Sequence, residues 1–319
     1  MEELAPIIEA FHHNDRYSAH ENAGRILEGL AADPQFLYAI FRQALQDPAF
    51  INRTRHHPVI AIDAFRNDDF QLVAHLWYPL ADRQLDLSHQ SIHHHGNLLL
   101  TSVSPFGPGY ESFLFSRDYD IDYKTGVTRM EIDKIYHNPR LNREFVDVFT
   151  PHVVFFPPSL SITYALWSTD RKRATDQVPR SFIPRAVKTP LRKILQWTGL
   201  ADRFGVNTVQ YFDFYPDGDR LMALKKRVFG YKDSTNDNFL QNIFHALQET
   251  GFDDEDFIRD LLRRPDMAGQ PALQTWGGKL LAGESIPDQY VPHHKGIGKV
   301  NFLREEVLRV CPLRTDKGA

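Results

Sequence analysis

The stretch Ser88-His89-Gln90-Ser91-Ile92-His93-His94-His95-Gly96-Asn97, running into the apolar Leu98-Leu99-Leu100, decides how the chain is read. It hangs imidazoles on what reads as the start of a β-strand. In an extended strand residues i and i+2 project to one face, so His93 and His95 share a pocket. Two neutral imidazoles on one face are half of a metal site. Further along, Asp147-Val-Phe-Thr-Pro-His152-Val-Val-Phe-Phe156 brings another histidine on a strand of the same character. The pattern predicts a three-histidine facial site, His93, His95 and His152, inside a small barrel.

The chain holds 15 histidines in 319 residues. A His-x-His pair is therefore expected by chance about 0.7 times, and context has to decide. Trp77-Tyr-Pro79 closes a preceding strand, a short polar loop follows, and then come the pair, Gly96 and a strand running on to Val103. The competing reading is a surface, tag-like cluster. His94 is expected to point to the face opposite its neighbours and His89 to lie in the loop, both either solvated or as outer partners of the ligands. Glu111 offers a carboxylate from the next strand, which would give a two-histidine, one-carboxylate site instead.

Working outward on the N-terminal side, apolar residues recur at spacings of three and four from Leu4 to Arg53, as in Ala23, Ile26, Leu27 and Leu30. That spacing predicts helices, with breaks near His12-His13-Asn14 and Asp33-Pro34. From Pro58 the period changes to two, over Val59–Phe65, Phe70–Trp77, Asn97–Val103, Tyr110–Phe115, Tyr119–Tyr123, Val127–Tyr136, Val146–Phe156 and Ser161–Trp167. Short strands in one block, separated by Gly, Pro and Asp, predict a barrel or jelly roll. Lys124-Thr125-Gly126 reads as a hairpin turn and Ser104–Gly109 as a longer loop beside the site. The charged, proline-bearing stretch Asp170–Pro190 is the clearest boundary. Beyond it come a helix over Pro190–Trp197, a hairpin over Thr208–Phe229, an amphipathic segment over Asn238–Arg264 broken near Gly251-Phe-Asp-Asp254, and a final helix near Phe302–Val310. The expected organisation is N-terminal helices over 1–55, the barrel over 56–170, and a C-terminal extension over 171–319 that caps or extends it.

Hydrophobic residues make up 42% of the chain and aromatics 12%, enough for a substantial core. A net charge of −4 argues against nucleic acid as the main partner. The basic stretch Arg180–Lys193 is the local exception and reads as a solvated helix face. A single cysteine, Cys311, excludes an intramolecular disulfide and a cysteine-rich metal cluster. With no apolar run of bilayer length and an acidic start to the chain, a cytoplasmic protein that engages no membrane is expected.

Trp77-Tyr-Pro-Leu80, Ile92-His-His-His-Gly96, Pro151-His-Val-Val154 and Ser161-Ile-Thr-Tyr-Ala-Leu-Trp-Ser168 together resemble the cupin superfamily, and within it the cysteine dioxygenase-like group. The resemblance covers about residues 20 to 170. It implies a mainly β, overall α+β fold, a cupin double-stranded β-helix barrel, with iron(II) on His93, His95 and His152 and O2 as co-substrate. The usual cupin carboxylate falls on Leu99, which matches the all-histidine form. Other hallmarks of thiol dioxygenases are missing. Their Ser, His and Tyr at alternate positions fall on Thr163, Ala165 and Trp167, and the crosslinking cysteine on Leu100. The fold and metal are therefore expected, but not the thiol substrate.

Three neutral ligands on one face of an octahedral ion leave three positions, enough for a bidentate substrate and dioxygen. Candidate catalytic residues are Arg66, near where thiol dioxygenases place a carboxylate-binding arginine, and Tyr110, Tyr164 and Trp167 as cavity walls. Their plainer readings are a surface salt bridge for Arg66 and ordinary core for the aromatics. The expected function is an iron(II)-dependent oxygenase acting on a small or mid-sized organic molecule. The alternatives are a cupin isomerase, lyase or hydrolase using a Lewis-acid metal, and a non-enzymatic metal- or ligand-binding module.

Overall fold

Three aspartates start three of the N-terminal helices. After α1 (Ala5–His13), Asp15 accepts the backbone N–H groups of Tyr17 and Ser18 to open α2 (Arg16–Ala32). Asp33 does the same through Gln35 for α3 (Pro34–Gln46), and Asp47 through Ala49 for α4 (Pro48–Ile51). Pro34 and Pro48 sit at the first helical position, where the missing N–H costs nothing. The computed structural model describes residues 2–56, 59–79, 87–88, 91–170, 213–224, 232–233, 235–267, 269–289 and 302–314. His89, the basic stretch Arg180–Lys193 and the helix expected over Pro190–Trp197 lie outside the described residues.

The strands follow as β1 (Arg55–His56), β2 (Val59–Arg66), β3 (Phe70–Trp77), β4 (Leu87–Ser88), β5 (Leu98–Phe106) and β6 (Tyr110–Phe115). Next come β7 (Asp120–Ile121), β8 (Val127–Arg129), β9 (Ile132–Asn138), β10 (Arg143–Val146), β11 (His152–Phe155) and β12 (Ser161–Thr169). The C-terminal part adds β13 (Asp213–Asp217), β14 (Arg220–Leu224), β15 (Lys232–Asp233), α5 (Asn236–Thr250), α6 (Glu255–Arg263), α7 (Pro271–Leu281), β16 (Phe302–Leu303) and α8 (Arg304–Val310). The main sheet has the order β10-β5-β12-β3-β2, a second has β11-β6-β9, and a third has β13-β14-β8-β7. All of their pairings are antiparallel. The fold is α+β.

Several expected boundaries shift. The strand expected over Val127–Tyr136 breaks at Met130-Glu131, because β8 pairs with β14 while β9 pairs with β6. The strand expected over Val146–Phe156 divides into β10 and β11, in different sheets, around a turn in which Phe149 takes φ 55°. The first half of the loop expected over Ser104–Gly109 is strand, since β5 runs on to Phe106. Its pairing with β12 shifts register between Ile162 and Tyr164, and this irregularity accommodates Pro105.

Alternation gives the main sheet two different faces. Ile62, Leu72, Ala74, Leu76, Tyr164 and Leu166 point to the helices and form one apolar core with residues of α1, α2, α3, α5, α6 and α7. The apolar core therefore runs across the positions 55 and 170 where the sequence suggests divisions. Through this face His20 of α2 reaches Thr101 of β5 with Nδ1 and Ser168 of β12 with Nε2, both at 2.8 Å. The other face meets the second sheet: the Trp77 ring lies 4.9 Å from Tyr110 and 5.4 Å from Phe156. The far side of the second sheet, Phe113, Phe115, Val153 and Phe155, is covered by Phe214, Phe302 and Val307 from the C-terminal part.

Candidate metal centre

The space between the two sheets holds the histidines, and backbone pairing puts them there. The N–H of His93 donates to the carbonyl of His152 at 3.0 Å and that of His152 to the carbonyl of His93 at 2.8 Å. Residues exchanging both bonds of an antiparallel pair project to the same side, so the two imidazoles emerge together. Ile92, one residue earlier, exchanges the equivalent bonds with Phe214 and buries its side chain in the outer core. His95, two residues after His93, returns to the inner side.

The three rings converge. Centroids are 5.0 Å apart for His93 and His95, 4.9 Å for His93 and His152, and 4.5 Å for His95 and His152. One nitrogen from each ring lies within 4.8 Å of the other two. His93 Nδ1 donates to the Ser91 carbonyl at 2.7 Å and His152 Nδ1 to the Thr150 carbonyl at 3.0 Å. A carbonyl only accepts, so each of these rings carries its proton on Nδ1 and turns the Nε2 lone pair inward. His93 Nε2 and His95 Nε2 are 3.1 Å apart. Nitrogens bound to one ion at about 2.1 Å and at right angles lie about 3 Å apart, so the spacing of this pair fits a shared ion. The donor set is all nitrogen and all neutral, which suits iron, zinc, copper or nickel better than magnesium or calcium.

The expected site residues divide between the two faces. Trp167 stands on the inner face with its ring 4.5 Å from His95, at 78°. Tyr110 is also inside. Tyr164 is on the opposite face of β12, edge-on to Phe36 of α3 at 5.3 Å, where burial drives its phenol pKa far up. Its hydroxyl has no hydrogen-bond partner among the described residues. Arg66 ends β2 with its side chain largely exposed, 3.9 Å from Asp63, the surface ion pair that was its plainer reading. Glu111 faces away from the histidines and pairs with Arg304 and, at 3.1 Å, with His137. Leu99, at the position of the usual cupin carboxylate, is buried. His94 does point away from its neighbours, but it is not solvated: it is buried against Phe149 and accepts the Gly96 N–H at 3.0 Å.

The sequence reading passed over Glu144. It lies on β10, facing Ser102 of β5, and is 3% exposed. Its carboxylate accepts from Ser112 Oγ and, at 3.2 Å, from the Tyr110 hydroxyl, which is itself 3.2 Å from Ser102 Oγ. Ser112 pairs with Val154 while His152 pairs with Leu114. The carboxylate network is therefore one side-chain row, about 7 Å, along the strands from the histidines. The available signal was a charged residue inside a short strand. Without the sheet order nothing showed that it faced inward.

His93 and His95, expected at the start of a strand, lie instead in the segment between β4 and β5, where His93 makes only an isolated bridge to His152 of β11. Two antiparallel sheets facing one another, with these three histidines converging between them, complete the architecture. The fold is cupin-like. No family profile and no curated protein matches the chain. Among solved structures it is similar to the Schizosaccharomyces pombe Cnp3 cupin domain, at 5% identity and a TM-score of 0.24, over 37% of this chain and 69% of that one. It is also similar to an RmlC-like cupin from Shewanella frigidimarina (15% identity, TM-score 0.22, 39% and 84% of the two chains). A third is the DMSP lyase DddQ from Ruegeria pomeroyi (12%, 0.24, 40% and 53%). At these scores the likenesses carry no functional weight, and the chemistry rests on the residues themselves.

Proposed function

We propose that this chain is a non-heme iron(II)-dependent oxygenase in which metal, dioxygen and a small or mid-sized organic substrate meet at His93, His95 and His152. The observation that carries this reading is the convergence of three imidazoles, two of them with Nδ1 tied to a backbone carbonyl. Bound there, iron(II) would supply three open coordination positions and the electrons that activate dioxygen. The protein's part is placement and exclusion. Trp167 buttresses His95, while Trp77, Val154 and Phe156 form an apolar cluster that keeps water from the interior. Ser102 and Tyr110 offer hydroxyls to a polar substrate group. Among the described residues no helix is long and apolar enough to cross a membrane.

One observation favours a second reading, a metal-dependent isomerase, lyase or hydrolase. The Tyr110–Glu144 pair can hold and pass a proton within a row of the metal ligands, which acid–base chemistry needs and oxygen insertion does not. The decisive experiment measures metal content of untagged protein and then oxygen uptake against a panel of candidate substrates. Stoichiometric iron with substrate-dependent oxygen consumption supports the oxygenase. Turnover that proceeds equally under anaerobic conditions replaces it with the second reading, and protein that binds no metal removes both.

A further inference from the structure

We infer that Asp213, on the hairpin β13–β14, is a positioning residue for the metal centre that acts through Ser91 and His93. The inference rests on His93, His95 and His152 being metal ligands, and it names the device that holds one of them. Asp213 Oδ2 accepts a hydrogen bond from Ser91 Oγ at 3.0 Å across 122 residues of sequence. The carbonyl of the same Ser91 accepts His93 Nδ1–H at 2.7 Å. The two bonds are in series, so the position of Asp213 sets that of Ser91, and the position of Ser91 sets the azimuth and tautomer of the His93 ring.

The surroundings make that link stiff. Asp213 is 2% exposed, Ser91 3% and His93 4%, so water does not compete for these bonds. Phe214, the next residue after Asp213, exchanges both backbone bonds with Ile92, the residue between Ser91 and His93. The hairpin therefore grips this segment twice, by backbone pairing at Ile92 and by the carboxylate at Ser91. Each ligand has a different support. His95 leans on Trp167, and the Nδ1 of His152 uses the Thr150 carbonyl two residues before it. Among the described residues, the Ser91 carbonyl that supports His93 is held from the C-terminal part of the chain, by Asp213. A carbonyl that can drift lets the imidazole turn and exchange tautomers, and losses of such outer partners weaken metal binding by about 10- to 100-fold.

The test is titration of the full-length protein with cobalt(II), read by its visible ligand-field absorption and by competition with a chelator. Asp213→Ala and Ser91→Ala should each weaken cobalt binding at least about 10-fold and alter the absorption envelope, and the double variant should be no weaker than either single one. Asp213→Asn, whose amide oxygen still accepts from Ser91, should retain wild-type affinity and spectrum. Asp217→Ala, at an exposed position of the same strand, should do the same. Far-UV circular dichroism accompanies each variant, and Ser91→Ala, which removes only one oxygen, keeps the test decisive if Asp213→Ala fails to fold. Wild-type affinity and spectrum in Ser91→Ala, or in a folded Asp213→Ala, would overturn the inference. So would Asp213→Asn binding as weakly as Asp213→Ala. A wild-type protein that binds no cobalt would instead overturn the metal-ligand reading beneath it.

Discussion

His20 is 1% exposed, and burial together with the nearby Arg16 lowers its pKa from 6.5 to about 3. It is neutral when folded and bridges Thr101 and Ser168. Below pH 6.5 the unfolded chain takes up a proton that the native chain refuses. This residue's contribution is therefore intact above 6.5 and is lost progressively as the pH falls toward 3, at up to about 1.4 kcal/mol per pH unit. His20→Gln should be about 1–3 kcal/mol less stable at pH 7 and should show a shallower loss between pH 6.5 and 4, checked by urea denaturation across that range. His152→Ala should abolish stoichiometric metal binding and leave the circular dichroism spectrum unchanged, because the bonds pairing His152 to His93 are backbone bonds. The histidine pair was legible in the sequence because a spacing of two gives a shared side in extended backbone, although His93 and His95 precede β5 and do not begin it. That His152 joins them rests on its backbone pairing with His93. Tyr164 and Trp167 were read as neighbours in the cavity, yet they are three residues apart, an odd spacing that sends them to opposite faces of β12. His20 gave no signal and Glu144 only that of a charge in a short strand, because a buried polar residue is recognisable only once its partners from other strands are known.

Whole elements were more legible than their ends. β3 and β6 match their expected bounds, and the break in the C-terminal amphipathic segment falls where Gly251, at φ 75°, closes α5. Strand ends depend on which neighbour offers a partner, and that is not local information. The turn after β5 shows the other extreme. Gly107 has φ +85°, and a Cβ there would lie 2.2 Å from the Leu160 carbonyl oxygen and 2.7 Å from the Ser161 Cα. No side-chain rotation relieves contacts with backbone, so Gly107→Ala has to displace the β5–β6 turn or the start of β12. A loss of at least about 1–3 kcal/mol is expected, measured as a lowered denaturation midpoint with unchanged slope.

At the scale of the molecule, α5 completes a core begun by the first helices. Phe239 stacks edge-on to Phe50 at 5.2 Å, the Tyr38 hydroxyl donates to the Thr250 carbonyl at 2.6 Å, and Arg42 pairs with Asp254 at 2.7 Å. Residues 1–170 expressed alone should therefore expose the surface that Phe239, Leu240, Ile243 and Phe244 cover, and should aggregate or remain partly unfolded. Gel filtration and circular dichroism of that fragment decide the matter: a monodisperse, cooperatively melting product would show that the helices of the C-terminal part are dispensable. The same long reach governs the protein's birth. Tyr38 and Thr250 are separated by 212 residues, which a ribosome takes roughly 10–40 s to add. Throughout that interval the emerging polypeptide carries an uncovered greasy flank, so its yield in a cell will depend on chaperone supply and on the pace of translation between these two points.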